Sequence, residues 1–554
     1  VTAIASTSHN LSAVATTGAT NNTQTVVTVT GHTFSVGDIV TISGSGNSAL
    51  DGTRSVLAKT ANTITVAVAF NSASPVTPLA AGTVSSNAGT ITVDVAYVLT
   101  TPTAGLATVS SIPEVVATTT ATITELGDIS VTADDVLDVD IITGSAAVGG
   151  TAAIGGAVAV LTINGATDAH IGSNTTLSAT NDINIEASYD ANDVNVNAYG
   201  GSAGAVGLGA QVAIITDNAS QKAYTTSGTS DTNGTQIIQA NKVNISAQAH
   251  RDLETESVGA AVGLAAAGAA IGTVNVGGTT EAYLGKYSQV GQTSASVNEL
   301  NINAESAVKV LIDNTAVAAG IGAGAGNNAT ATINPTIRAY IHSEADINVE
   351  SAVNVSAEFT PDIDTDTLGV SAGGLAVGVS LTDILIDPDV IASIGDPGNS
   401  TLGNVVIDAD SIVVAARTNL PGNSDGRSAN AYSSGSSGAL IGVDSTNSEI
   451  DNNSTVKSYI ADGSTLTAAG ALSVSASNNT RQRAEANSAA GGLVAAGVAT
   501  AEANTNTTTH AYFGAGVTAT AGSVSIAAVS TDDNFADTTA GSGGVAAGAG
   551  AVRN

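Results

Sequence analysis

The feature that most limits how this chain can fold is that it repeats itself. Short alternating runs recur: DISVTA from Asp128, DINIEA from Asp182, KVNISA from Lys242, ELNINA from Glu299, AVNVSA from Ala352, SIVVAA from Ser411, ALSVSA from Ala471 and SVSIAA from Ser523. The apolar residue in second place falls at 129, 183, 243, 300, 353, 412, 472 and 524, so the gaps are 54, 60, 57, 53, 59, 60 and 52. A second landmark keeps the same beat: AHIG at Ala169, AYTT at Ala223, AYLG at Ala282, AYIH at Ala339, ASIG at Ala392, SYIA at Ser458 and AYFG at Ala511. A repeated unit that cannot bury its own face must stack on the next. The eighth unit stops inside a Gly/Ala-rich stretch, so the array reads as cut rather than capped, with a free end that is sticky unless covered.

Each unit reads as β. In the second, Ile183, Ile185 and Ala187 fall on one face and Asn184 and Glu186 on the other. Asn-Asn, Asp-Gly and Gly-Gly pairs bracket the runs as turn signals. Aromatics are only 3% of the chain and Trp is absent, so Val, Ile and Ala must fill the interior. Thin layers of small and β-branched side chains suit stacked sheets. The expected fold is all-β: an elongated β-solenoid, parallel β-helix-like, of seven and a half repeats averaging about 57 residues. A coil of about 19 residues would put roughly three coils in each unit. A chain of antiparallel β-sandwich units, one per repeat, is the alternative, and periodicity does not separate the two.

Between the landmarks lies an apolar stretch such as SVGAAVGLAAAGAAIGTVNV from Ser257. Residues 258–278 carry no charge and are long enough to cross a bilayer as a helix, with Gly spacing that could pack helices. Sibling copies argue instead for a buried strand pair in which Gly and Ala allow close approach. They carry Gln211, Asn327 and Asn328, or the Ser-rich run 433–437, and GLAVGVSLTDILI from Gly374 alternates with period two. No transmembrane segment is therefore expected.

The residues before 125 do not follow the beat. We divide the chain into an N-terminal strand segment (1–22), a small β-barrel module (23–97), a linker with first strands (98–124) and the repeat array (125–554). The passage 25–70 reads as four strands, with turns at 35–38, 50–52 and 61–62. Phe34, Val40, Ile42, Val56, Ile64 and Val66 would fill the barrel. On Gly31-His32, Val36-Gly37-Asp38, Leu50-Asp51-Gly52 and Asn62-Thr63-Ile64, this passage resembles the small β-barrel modules of phage and bacterial surface proteins, named for a catalytic-cysteine half-domain of ubiquitin-activating enzymes. The resemblance implies no enzymatic activity. A Pro-bearing stretch, 98–111, then leads toward the array through Ser110-Ser111-Ile112-Pro113.

Composition narrows function. Lys+Arg number 14 against 47 Asp+Glu, a formal charge of −33, which repels nucleic-acid phosphate. Cys is absent, excluding disulfides and thiolate metal sites. Met is absent too, and the chain opens Val-Thr-Ala without a basic and apolar leader, so a processed product or a segment of something longer is expected. High Ser, Thr and Gly without Cys is common in secreted bacterial surface proteins. On DINIEA at 182–187, ADINVESAVNVSA at 345–357, the AY(I/L)G landmarks and the Gly/Ala stretches, the array resembles the bacterial β-strand-repeat adhesins, the filamentous-haemagglutinin and leukotoxin-like filamentous class. The resemblance implies an exported, fibrous surface protein.

No catalytic constellation is read. The six histidines, His9, His32, His170, His250, His342 and His510, do not pair at zinc-ligand spacing. GGSAG at 200–204 matches GxSxG, but in a Gly/Ser/Ala tract that string is expected by chance. Acidic clusters follow the landmark runs. Asp138, Asp140, Asp193, Asp252, Glu254, Asp362, Asp364 and Asp366 are candidate calcium ligands, because stacked like charges repel and calcium accepts several carboxylates in flexible geometry. A solvated face that keeps a fibre soluble is the simpler reading. Calcium is the one candidate ion, and no other cofactor is implied. The expected function is non-enzymatic: an extracellular, self-assembling filament or sheath subunit, or an adhesin stalk. Its expected partners are further copies, head-to-tail or lateral, and a host-cell or surface ligand. The alternatives are a surface-layer lattice protein and, further off, a polysaccharide-active enzyme on a β-helix.

Overall fold

The alternation of the landmark runs is realised as strands whose hydrogen-bond partners lie one whole unit away. This computed structural model describes residues 8–16, 25–29, 39–43, 52–66, 83–86, 90–96, 115–119, 122–125, 127–292, 296–422 and 426–554, and the regular structure among them is all strand. Ile129 pairs with Ile183 and Ile183 with Val243. The row runs on through Leu300, Val353, Ile412 and Leu472 to Val524, parallel at every step. Strands thus pair in parallel between units, unlike the antiparallel sandwiches held as the alternative.

Three coils per unit is corrected to one pass per unit. The partners Ile129 and Ile183 stand 54 residues apart, because the Gly/Ala stretch and its return limb lengthen every pass. The correction changes the shape. At about 4.8 Å per layer, the eight landmark units rise only about 38 Å, whereas a 20-residue limb such as Ile129–Val148 extends about 66 Å. The array is broad rather than elongated.

Each pass has the same parts. A long limb starts at the landmark run, and its inward residues enter the trunk core with those of the other strands. Ile185, Ile302, Leu161, Ile171 and Leu284 are all within 1% of full burial in one continuous cluster. Burying each such side chain contributes about 1.5–3 kcal/mol. Outside, Asn244 donates to Asn184 at 2.8 Å, Asn301 to Asn244 at 3.0 Å and Asn354 to Asn301 at 2.9 Å. Such an amide row forms only when identical residues stack in register. The second landmark makes a separate parallel sheet of eight short strands, Val115–Thr119, Ala166–Ile171, Ser220–Thr225, Thr279–Leu284, Thr336–Ile341, Asp389–Ile394, Thr455–Ile460 and Thr508–Phe513, ordered as in the chain. Among the described residues strand Thr518–Gly543 of the eighth unit pairs on its inner side alone, and Val524 and Ile526 are 51% and 47% exposed where Val353 and Val355 are fully buried.

The N-terminal residues form a closed antiparallel barrel from β1 (Ser8–Thr16), β2 (Thr25–Val29), β3 (Ile39–Ser43), β4 (Gly52–Lys59), β5 (Thr63–Val66) and β6 (Thr83–Ser86), in the order β1-β2-β5-β4-β3-β6. The expected core residues Val40, Val56, Ile64 and Val66 are buried. Gly31, His32, Phe34, residues 35–38, Leu50, Asp51, the side chain of Ile42 and the Pro-bearing stretch 98–113 lie outside the described residues. Two boundaries move. β1, from the segment placed before the module, pairs with β2 and β6 and closes the barrel. β7 (Thr90–Ala96), placed inside the module, pairs in parallel with the first long limb. β8 (Val115–Thr119) and β9 (Thr122–Glu125) pair with Ala166–Ile171 and Thr176–Ala179. Residues 90–96, 115–119 and 122–125 therefore add a layer to the array, since TITVDVA alternates as the landmark runs do.

Candidate functional site

Past the trunk, each long limb enters its Gly/Ala stretch, turns and comes back, forming a two-layered blade. The layers face each other through side chains. Ser257 Oγ donates to the Ile271 carbonyl at 3.0 Å, and one unit on Asn314 Nδ2 donates to the Asn328 carbonyl at 2.7 Å. The layers are too close for larger residues: a Cβ on Gly268 would stand 2.6 Å from the Val317 carbonyl oxygen. Ala261, Ala266, Ala270, Ala316, Ala318, Ala323 and Ala325 make a core of their own there. Residues 258–278 are thus limb, tip and limb, and among the described residues no helix is long and apolar enough to cross a membrane. The outside of the blade is apolar as well. Ile154 is 74% exposed, Ile321 67% and Val545 86%, with Leu208, Leu375, Val377, Ile441, Val443 and Val498 also exposed.

The blade's interior holds polar groups. Gln211 and Asp444 are fully buried and Asn327 nearly so. Asp444 accepts from Ser488 Oγ at 2.8 Å through Oδ2, while Oδ1 has no hydrogen-bond partner among the described residues. Burial pushes its carboxyl up to about 6, against the lowering effect of the Ser488 and Ala489 hydrogen bonds. The trunk has its own buried charge. Arg251 and Asp217 are both fully buried, with Arg251 Nε 3.1 Å from Asp217 Oδ2. Tyr189 donates to the same oxygen at 3.0 Å, and Arg251 Nη2 reaches the Ala219 carbonyl at 2.9 Å. Asp135, 1% exposed, has no hydrogen-bond partner for either oxygen among the described residues. Burial first, and then Asp217, pushes it up to about 6.

The acidic residues lie on the outer side of the long limbs, alternating with inward residues of the trunk core such as Val139, Leu253 and Ile363. Asp138 and Asp193 sit at a break in strand register, Asp193 with φ 61°. Asp252 and Asp362 share a row, but Lys309 stands between them, its Nζ 2.8 Å from Asp252. Glu254 lies between Asn195 and Leu311. Asp140 pairs in register with Asn195, and Asp364 accepts from Asn430 at 2.9 Å. Among the described residues no three His or acidic side chains are grouped so as to hold a metal ion. The continuous acidic row is a different one: Glu256, Asp313 and Asp366 occupy three successive layers. Partial burial, then Asp313 and Asp364, pushes Asp366 up to about 6. Counting carboxylates after each landmark found the stripe but not this row, because only register shows which acids are neighbours.

The histidines are dispersed. His170 heads an aromatic row, stacking on Tyr224 at 4.8 Å, Tyr224 on Tyr283 at 4.8 Å and Tyr283 on Tyr340 at 4.7 Å. Ser393 interrupts the row, and Tyr459 and Tyr512 stack beyond it at 5.2 Å. His250 lies 3.1 Å from Asp190 and His342 2.6 Å from Asp396. His32 and the side chain of His9 fall outside the described residues. GGSAG spans the end of a blade limb, with Ser202 buried between the layers rather than presented at a strand–helix turn. Comparison with protein-family models, with characterised proteins and with solved structures found no match.

Proposed function

We propose that the array is a β-solenoid with one coil per unit, and that the protein is a non-enzymatic structural element of the bacterial cell exterior. It serves as a surface filament or sheath subunit, or as an adhesin stalk. The observation that carries this reading is the unbroken parallel register from Ile129 to Val524, with its core and its external amide row. A stack of this kind supplies a rigid, extendable surface through backbone ladders and small aliphatic layers. The exposed interior of the eighth unit fits a further layer, from more chain or from another copy. The array's breadth and its apolar blade favour a second reading, a laterally packed surface-layer lattice.

Electron microscopy of the purified full chain at rising concentration tests both. Stacked filaments with a repeat of about 4.8 Å along their axis support the first, and a two-dimensional lattice supports the second. Compact particles at every concentration, with turnover of an acidic polysaccharide, would overturn both.

A further inference from the structure

The outer face of the blade's return layer is a broad surface with few charges. Its outward positions begin at the tip, and through eight units none is charged until a row near the trunk holding Asp383, Glu449 and Glu502. Eight strands about 4.8 Å apart and eight residues at about 3.3 Å give a face of roughly 1,000 Å2. The largest apolar patch on an ordinary monomer is about 300–600 Å2. A stable protein interface takes about 800 Å2 from each partner.

The face also has relief. Leu375, Val377, Val443 and Val498 stand out from units five to seven, all exposed. The same rows in units three and four hold Ala265, Ala267 and Ala269, then Gly322, Gly324 and Gly326, with open space above all three glycines. Toward the first unit this low ground deepens into an apolar hollow of about 300 Å3, walled by Ile154 and Leu208. A ridge and a trough therefore lie side by side on one flat sheet.

We propose that this face binds the same face of a second copy, antiparallel about a two-fold axis, so that each ridge fills the other's trough. A two-fold axis between units four and five makes both contacts at once, as an isologous interface requires. Charge favours the same occupant. On a chain of −33 this is where two copies meet with least repulsion, and Asp383, Glu449 and Glu502 fall at a solvated rim. The inference rests on the stacked-coil reading above for its flat face, but not on any filament.

The test is sedimentation velocity on the full chain, with circular-dichroism melts to verify folding. The wild type is expected to dimerise. Val377→Lys with Val443→Lys should weaken dimerisation by about 30-fold or more. Gly324→Leu with Gly326→Leu adds apolar surface over open space, yet fills the trough, and should weaken it by about 10-fold. A merely sticky patch would respond oppositely, so tighter pairing of that variant overturns the proposal. So does a wild type that stays monomeric at high concentration, or one that floats with neutral phosphatidylcholine vesicles as a monomer. Dimers without filaments would sink the filament reading alone, and monomers that still stack end to end would sink this one alone.

Discussion

Trunk and blade are consecutive stretches of the same strands, yet they are held together differently. In the trunk, Ile, Val and Leu fill a space wide enough for Phe359 and Tyr189, so burial of large side chains dominates. In the blade the layers touch through Gly, Ala and Ser, and the hydrogen-bonded ladder with close backbone packing carries the structure. The contrast teaches that one register can serve two packing regimes. Where side chains shrink, the inward face becomes an inner seam and the apolar residues move outside.

The sharpest way to break this comparison is to remove a trunk charge. Arg251→Ala leaves Asp217 buried without its cation and is expected to destabilise by about 3–5 kcal/mol, measured by urea unfolding. Ile302→Ala opens a trunk cavity and should destabilise by about 2–4 kcal/mol. In the blade, volume acts with the opposite sign. Gly268→Ala forces the layers apart and should destabilise by about 1–3 kcal/mol, while Gly326→Ala, above open space, should stay within about 0.5 kcal/mol of wild type. A Gly268→Ala protein as stable as wild type would show that the layers are looser than drawn.

Asp135 in the trunk and Asp444 in the blade put the two regions on the same pH scale. Both carboxyls hold their proton more tightly folded than unfolded, each pushed up to about 6. Their effect on stability is therefore mildest in acid, and a penalty grows as pH climbs from about 4 to about 6. Asp135→Asn and Asp444→Asn should each raise stability by about 1–2 kcal/mol near neutral pH and leave it unchanged near pH 4. Thermal melts at the two pH values check this. A small loss is expected outside the trunk, where Asn301→Ala breaks two amide contacts and should lower stability by about 1 kcal/mol.

Much of the trunk was legible in the sequence, because alternation sets which side chains point inward and the landmark spacing sets the unit. Alternation does not say which strand is the neighbour, and so it does not set the number of passes per unit. The same gap hid the pairing of Arg251 with Asp217, 34 residues earlier in the chain. It also hid Lys309, which stands in the row read as a calcium ladder. The Gly/Ala stretches were read as close-packed strands because polar siblings such as Gln211 fit no membrane span. Their exposed outer face was not legible, since small residues satisfy a buried pattern and a thin blade equally. At the N-terminus, β7 carries the array's own alternation but stands outside the beat of the landmarks, which places it with the barrel in the sequence.

The amide row has a consequence for how the gene can change. Within the row Asn184, Asn244, Asn301 and Asn354, the two middle residues each have an asparagine above and below. Excising or duplicating the module that holds Asn301 would still join Asn to Asn along this row, whereas excising the module that holds Arg251 would leave Asp217 without its cation. Height can therefore drift by single storeys through recombination, whereas a deletion of half a module would misalign every row at once.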